Sequence, residues 1–82
     1  MREIKIGSIY KHFKGNLYKA IDIVNDCESI GKDIKKVVIY QALYGEGEKW
    51  ARKLDDFSSL VDSEKYPEVS QKYRFEEVKH NS

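Results

Sequence analysis

One cysteine, Cys27, and one proline, Pro67, stand in this 82-residue chain. A lone cysteine closes no disulfide within the chain and supports no cysteine-rich zinc site, so packing must hold the fold together. No apolar run approaches the roughly 18 residues that a membrane-spanning helix needs. Met1-Arg2-Glu3-Ile4-Lys5 runs into a strand-like pattern and does not read as a secretory signal. Charge of one sign is missing too. A net charge of +1 gives the whole molecule no general hold on polyanions. Together these absences point to a soluble, cytoplasmic protein that works away from the membrane.

What is present is globular: 40% of residues are hydrophobic, 35% are charged and 12% are aromatic. The length fits one domain, residues 1–82, with an ordered core over about 4–78 and a frayed tail at 79–82. Tyrosine supplies six of the aromatics, and a ring with a polar tip suits half-buried positions in small barrels and binding faces. The charge is unevenly placed. Residues 1–53 carry eleven Lys or Arg against seven Asp or Glu, and residues 54–82 carry four against seven. A basic face beside an acidic tail is one reading, and solvated strand edges are the plainer one.

Alternation organises the chain into short strands. Residues 8–14 place Ile9 and Phe13 on one face and Tyr10, His12 and Lys14 on the other. Gly15-Asn16 then reads as a turn of two residues that tolerate positive φ, leading into a strand over 17–25 and closing a hairpin. In that strand Leu17, Ile21 and Ile23 alternate with Tyr18, Ala20, Asp22 and Val24. Residues 26–36 are polar and read as a loop. Residues 37–44 are apolar on both faces, which predicts a strand in the middle of the sheet. Gly45-Glu46-Gly47-Glu48 turns the chain into a strand over 49–54 that puts Trp50, Arg52 and Leu54 on one face. Asp55 or Asp56 is placed to cap a short helical turn carrying Phe57, Leu60 and Val61. Pro67 marks an irregular connection, and residues 73–78 give a last strand. The pattern predicts a mainly β fold: one small, curled antiparallel sheet or SH3-like half-open barrel, with one short helical turn late in the chain.

Gly7-x-x-Tyr10-x-His12-Phe13-Lys14-Gly15-x-x-Tyr18 resembles the opening of the bacterial domain-of-unknown-function family 1653. The likeness continues through Cys27-Glu28-Ser29, Val38-Ile39-Tyr40-Gln41-Ala42-Leu43-Tyr44-Gly45, Trp50-x-Arg52 and Phe57 to Arg74-Phe75, in the family's order. The resemblance implies a compact, mostly β bacterial domain and implies no reaction, cofactor or substrate. This chain departs from the family pattern at Asp26, where a His is usual, at Lys53 in place of a Pro, and at Asp56 in place of a Met. The loop before Val37 is also a few residues longer.

The residues that carry chemistry are few. His12 shares a strand face with Tyr10 and Lys14, and its charge can change near neutral pH. The plain alternative is a half-buried imidazole tied to backbone. A His–carboxylate pair with Glu28 or Asp26 would make an enzyme and would require the 26–36 loop to fold back. Cys27 lies between two acidic residues, which disfavours its thiolate, so it reads as inert. His12, His80 and Cys27 make a poor ligand set, so neither a metal nor a cofactor is expected. Gly45-Glu46-Gly47-Glu48 lacks the Lys-Ser/Thr ending of a phosphate loop.

Trp50 and Arg52, following Tyr40 and Tyr44, suit stacking on a base or gripping a peptide. Against this stands a structural role, with Trp50 plugging the barrel end and Arg52 paired to Glu28 or a tail carboxylate. The reading favoured is a binding module rather than an enzyme. It would take a small molecule such as a nucleotide, a nucleic-acid segment or a short peptide along Tyr10, His12, Glu28, Tyr44, Trp50 and Arg52. The alternatives are a His–carboxylate enzyme and a protein-interaction subunit. A monomer or weak dimer is expected.

Overall fold

A computed structural model of the chain describes residues 3–29, 31 and 33–78. The N-terminal Met1-Arg2, the frayed tail expected at 79–82, and His80 within it lie outside the described residues.

Five strands form one antiparallel sheet: β1 (Ile9–His12), β2 (Leu17–Asn25), β3 (Lys36–Ala42), β4 (Lys49–Lys53) and β5 (Phe75–Glu77). A four-residue helix, α1 (Leu54–Phe57), follows β4 directly. The strand order is β4-β3-β2-β1-β5, and β4 does not pair with β5, so the sheet stays open. This is the mainly β, half-open arrangement that the alternation predicted. β3 is hydrogen-bonded on both sides, as an apolar strand should be, but the centre of the sheet is β2.

The first hairpin has a longer turn than the Gly-Asn pair alone. β1 stops at His12, and the turn runs through residues 13–16, closed by Gly15 N–H to the His12 carbonyl at 2.8 Å and His12 N–H to the Asn16 carbonyl at 2.9 Å. Only Gly15, at φ +109°, takes the left-handed side; Asn16 does not. Phe13 leaves the strand because its N–H is bonded to the Arg74 carbonyl and its ring packs on Tyr66, 4.9 Å between centroids.

β2 spans the residues that its alternation marked, but its facing is not a single alternation. The pairing with β3 shifts between Ala20 and Asp22, so Ile21 is an extra residue in the strand. A bulge of this kind flips the parity of everything beyond it. Tyr18 and Ala20 therefore share the inner face with Ile23, and Val24 is turned outward and exposed.

The core gathers Ile4, Tyr10, Ala20, Val38, Tyr40, Phe57 and Phe75, with Tyr18, Ile23 and Leu54 packed against it. α1 carries one buried residue, Phe57, into this cluster. Neither Asp55 nor Asp56 caps it; Lys53 holds the N-cap position without a side-chain bond, and Leu60 is exposed. The chain after α1 returns toward β1 through an isolated bridge between Leu60 and Tyr73. Gln71 anchors it by donating its amide to the Lys11 carbonyl at 2.8 Å.

Candidate functional site

Phe75 is the hub of the inner face. It is 1% exposed and lies flat on Phe57, with ring centroids 4.0 Å apart. His12, Tyr18 and Tyr40 present their rings to it edge-on at 4.9, 5.7 and 5.5 Å. The Arg52 guanidinium lies 5.8 Å from its centroid. Strand pairing produces this convergence, because residues directly opposite in an antiparallel ladder share a face. His12 is opposite Phe75, Tyr10 opposite Tyr18, Tyr40 opposite Trp50, and Val38 opposite Arg52.

Arg52 is tied at three points. Its Nε donates to the Tyr40 hydroxyl at 3.3 Å, its Nη1 donates to Asp56 Oδ2 at 2.8 Å, and its guanidinium carbon lies over the Phe75 ring. Burial pulls the guanidinium pKa down, but Tyr40 and Asp56 outweigh that and leave it above its ordinary value. Asp56 also reaches Arg74, with 3.7 Å between Oδ1 and Nη2, and Arg74 Nε donates to Ser59 Oγ. One carboxylate thus serves two guanidiniums, and the group keeps net positive charge.

His12 feels that charge. Its Nδ1 accepts the Lys14 N–H at 3.1 Å, so the neutral ring carries its proton on Nε2. Burial, followed by the positive charges of Arg52, Arg74 and Lys14, lowers its pKa from 6.5 to about 4. At neutral pH the imidazole is therefore uncharged. Neither Asp26 nor Glu28 is within hydrogen-bond reach of it; Asp26 Oδ1 instead accepts the Glu28 N–H on the loop after β2.

The β3–β4 hairpin builds the open end of this face. β3 ends at Ala42, two residues earlier than its sequence pattern, because Gly45 and Gly47 at φ +57° and +68° turn the chain. Three bonds fix the turn: Ala42 N–H to the Glu48 carbonyl at 2.9 Å, Gly47 N–H to the Tyr44 carbonyl at 3.1 Å, and the Gln41 amide to the Gly47 carbonyl at 2.9 Å. Tyr44 is held in turn by a 2.9 Å hydrogen bond between its hydroxyl and that of Tyr18. Burial and this bond push the Tyr18 pKa up to about 12. Between Tyr44 and Trp50 lies a depression of about 260 Å³, bordered by Ala42, Gly45, Glu46 and Glu48. Trp50 is 50% exposed and Tyr44 is 47% exposed.

The structure therefore brings together His12, Tyr44, Trp50 and Arg52 of the expected residues and separates two others. Tyr10 is 2% exposed, edge-on to Phe57, and its hydroxyl accepts the Lys5 N–H, so it is a core residue and not part of an open surface. Glu28 sits on the loop beyond Asn25, at the other end of β2 from Tyr18, with exposed Cys27 beside it. Trp50 plugs nothing, and the carboxylate paired with Arg52 is Asp56 rather than Glu28 or the tail. Tyr18, Asp56 and Arg74 complete the face and are not among the expected site residues. Tyr18 and Arg74 do lie inside the motif and the closing element of the family pattern, which was their one available signal.

A second depression, about 450 Å³, lies at the far end of β3 and β4 among Asp26, Ile34, Lys35, Lys36, Lys53, Leu54 and Asp55. Among the described residues no three His, Cys, Asp or Glu side chains gather as metal ligands would, and no helix is long and apolar enough to cross a membrane.

Residues 8–77 match a family described as a protein of unknown function, DUF1653. No curated protein and no solved structure is significantly similar to the chain.

Proposed function

The chain belongs to the DUF1653 family, and from the side chains that its own fold leaves open we propose that it is a small binding domain holding a short peptide against the Trp50–Tyr44 end of the sheet. Trp50 carries this reading. It lies on the inner face of edge strand β4, opposite Tyr40, yet half its surface is bare and its ring meets no aromatic, cationic or hydrogen-bonding partner among the described residues. A domain this small needs its large rings for its core, so an unpartnered tryptophan beside a fixed tyrosine marks a contact surface. Glu46 and Glu48 border the same depression, which disfavours a phosphate backbone there and favours a peptide.

Trp50 is the sole tryptophan, so its emission reports the site directly. A mixed pool of short peptides is expected to shift that emission and to move the amide resonances of Tyr44 to Arg52. Trp50→Ala is expected to keep its circular dichroism spectrum and lose about 2 kcal/mol of binding, roughly thirty-fold. A folded Trp50→Ala that binds the pool unchanged would sink the proposal.

A nucleotide is the second reading, supported by the cations Arg52, Arg74 and Lys14 gathered around His12. In that case the base stacks on Trp50, worth about 1–3 kcal/mol, and the phosphate lies toward Arg74. Adenosine monophosphate that moves the His12 and Arg74 resonances would favour it over the peptide.

A further inference from the structure

The depression between Tyr44 and Trp50 has a chemical character of its own. Its two walls are aromatic and half exposed, and two carboxylates, Glu46 and Glu48, stand at its border. Neither carboxylate is in an ion pair among the described residues, in contrast to Asp56, which serves Arg52 and Arg74. Lys49 does not fill the gap, since it alternates with Trp50 along β4 and belongs to the opposite face. The negative faces of aromatic rings attract a cation, and free carboxylates nearby add to that attraction.

The walls are also fixed in advance. The Tyr44 hydroxyl is engaged by Tyr18, and the turn that carries Glu46 and Glu48 is closed by the bonds of Gln41, Ala42 and Gly47. A site ordered before binding loses less conformational entropy when it fills. At about 260 Å³ the depression is smaller than the roughly 300–1,000 Å³ of small-molecule sites, and it is sized for a single side chain.

We infer that this depression takes the ammonium group of a lysine side chain carried by the bound peptide; the inference rests on the peptide-binding reading above and names the residue that is gripped. The ammonium is a compact charge with three donors, which two separate carboxylates can share while its methylene stem lies along the Trp50 ring.

The test titrates the full chain with acetyl-Gly-Lys-Gly-amide and, in parallel, with the neutral acetyl-Gly-norleucine-Gly-amide. It follows the backbone amides of residues 44–50 and the Trp50 indole N–H by NMR. The lysine peptide is expected to bind about fivefold more tightly than the norleucine peptide, the size of an exposed cation–π contact together with screened carboxylates. That preference is expected to shrink in high salt and to fall to about twofold, the share left to the aromatic rings, in the Glu46→Gln/Glu48→Gln variant, whose substitutions lie on an exposed turn. Equal binding of the two peptides overturns the inference. A third arm uses a hexapeptide pool without lysine or arginine. If the pool moves the Trp50 signal and the lysine peptide does not, the ammonium assignment falls and peptide binding stands. If neither moves it, both fall.

Discussion

Acidification should weaken this fold through His12 well above the pH at which most carboxylates titrate. In the folded chain the ring is half-buried and faces Arg52, Arg74 and Lys14, and its pKa lies at about 4 against an ordinary 6.5. The unfolded chain binds that proton near pH 6.5, while the folded chain refuses it until about pH 4. Between those values the unfolded state holds more protons, so stability rises with pH there. The contribution is fully present above pH 6.5 and is lost as pH falls from 6.5 toward 4. At 1.36 kcal/mol per pKa unit the full shift would be worth about 3 kcal/mol. Solvent screens a ring that is only half-buried, which reduces the expected contribution to about 1–2 kcal/mol. A domain of this length has about 4–12 kcal/mol of stability, so the loss should move a urea midpoint by roughly 1 M.

Carboxylates as a class titrate in the lower part of the same window, so the measurement is differential. Urea unfolding is followed at pH 7 and at pH 4.5 in the parent and in His12→Gln, both carrying His80→Gln so that one imidazole signal remains at most. The parent should lose about 1–2 kcal/mol more than His12→Gln over that interval. Its imidazole proton resonance should titrate with a midpoint near 4. A midpoint near 6.5, or equal losses in the two proteins, would refute the account of His12 as a ring kept neutral by burial and surrounding cations.

Three further outcomes follow from the same face. Phe75→Ala removes the ring on which Phe57, His12, Tyr18, Tyr40 and Arg52 all converge. It should cost about 3–5 kcal/mol, and calorimetry should show the melting temperature falling by more than about 12 °C. Asp56→Asn takes from Arg52 and Arg74 their shared carboxylate. Because Asp56 is 47% exposed, the expected stability loss is at most about 1 kcal/mol in urea. The His12 midpoint should nevertheless move further down by NMR, since positive charge beside it is uncovered. Gly47→Ala places a side chain at φ +68°, where its Cβ would stand 3.5 Å from the Gln41 amide, an ordinary contact. The strain is therefore in the backbone alone, about 1–2 kcal/mol by chemical denaturation.

Local pattern made much of the fold legible. The apolar and polar alternation over 17–25 marked β2 to its ends, and a run apolar on both faces identified β3 as an inner strand. The glycines at 15, 45 and 47 marked the turns because each takes a left-handed φ that other residues avoid. Alternation could not reveal the extra residue at Ile21. That bulge exists in the register between β2 and β3, which depends on two strands together and not on either one. For the same reason Ile23 faces inward with Tyr18, where a strict period of two had set them on opposite faces.

The candidate site divides along the same line. The order of residues determined on its own that aromatics, one histidine and one arginine lie on neighbouring strands, and its motifs carried the family. Which of them are open was decided by tertiary structure. Tyr10 and Trp50 are both large rings on the inner side, yet Tyr10 belongs to inner strand β1 and is closed over, while Trp50 belongs to edge strand β4 and is left half bare. Arg52 at the end of β4 found Asp56 four residues on in α1, and the same carboxylate drew in Arg74 from late in the chain. Glu28, itself inside the family pattern, was carried to the other end of β2 by that strand's nine-residue length. Periodicity is a property of neighbours along the chain. Exposure and ion pairing depend on segments far apart in sequence, and these meet only when the sheet is assembled.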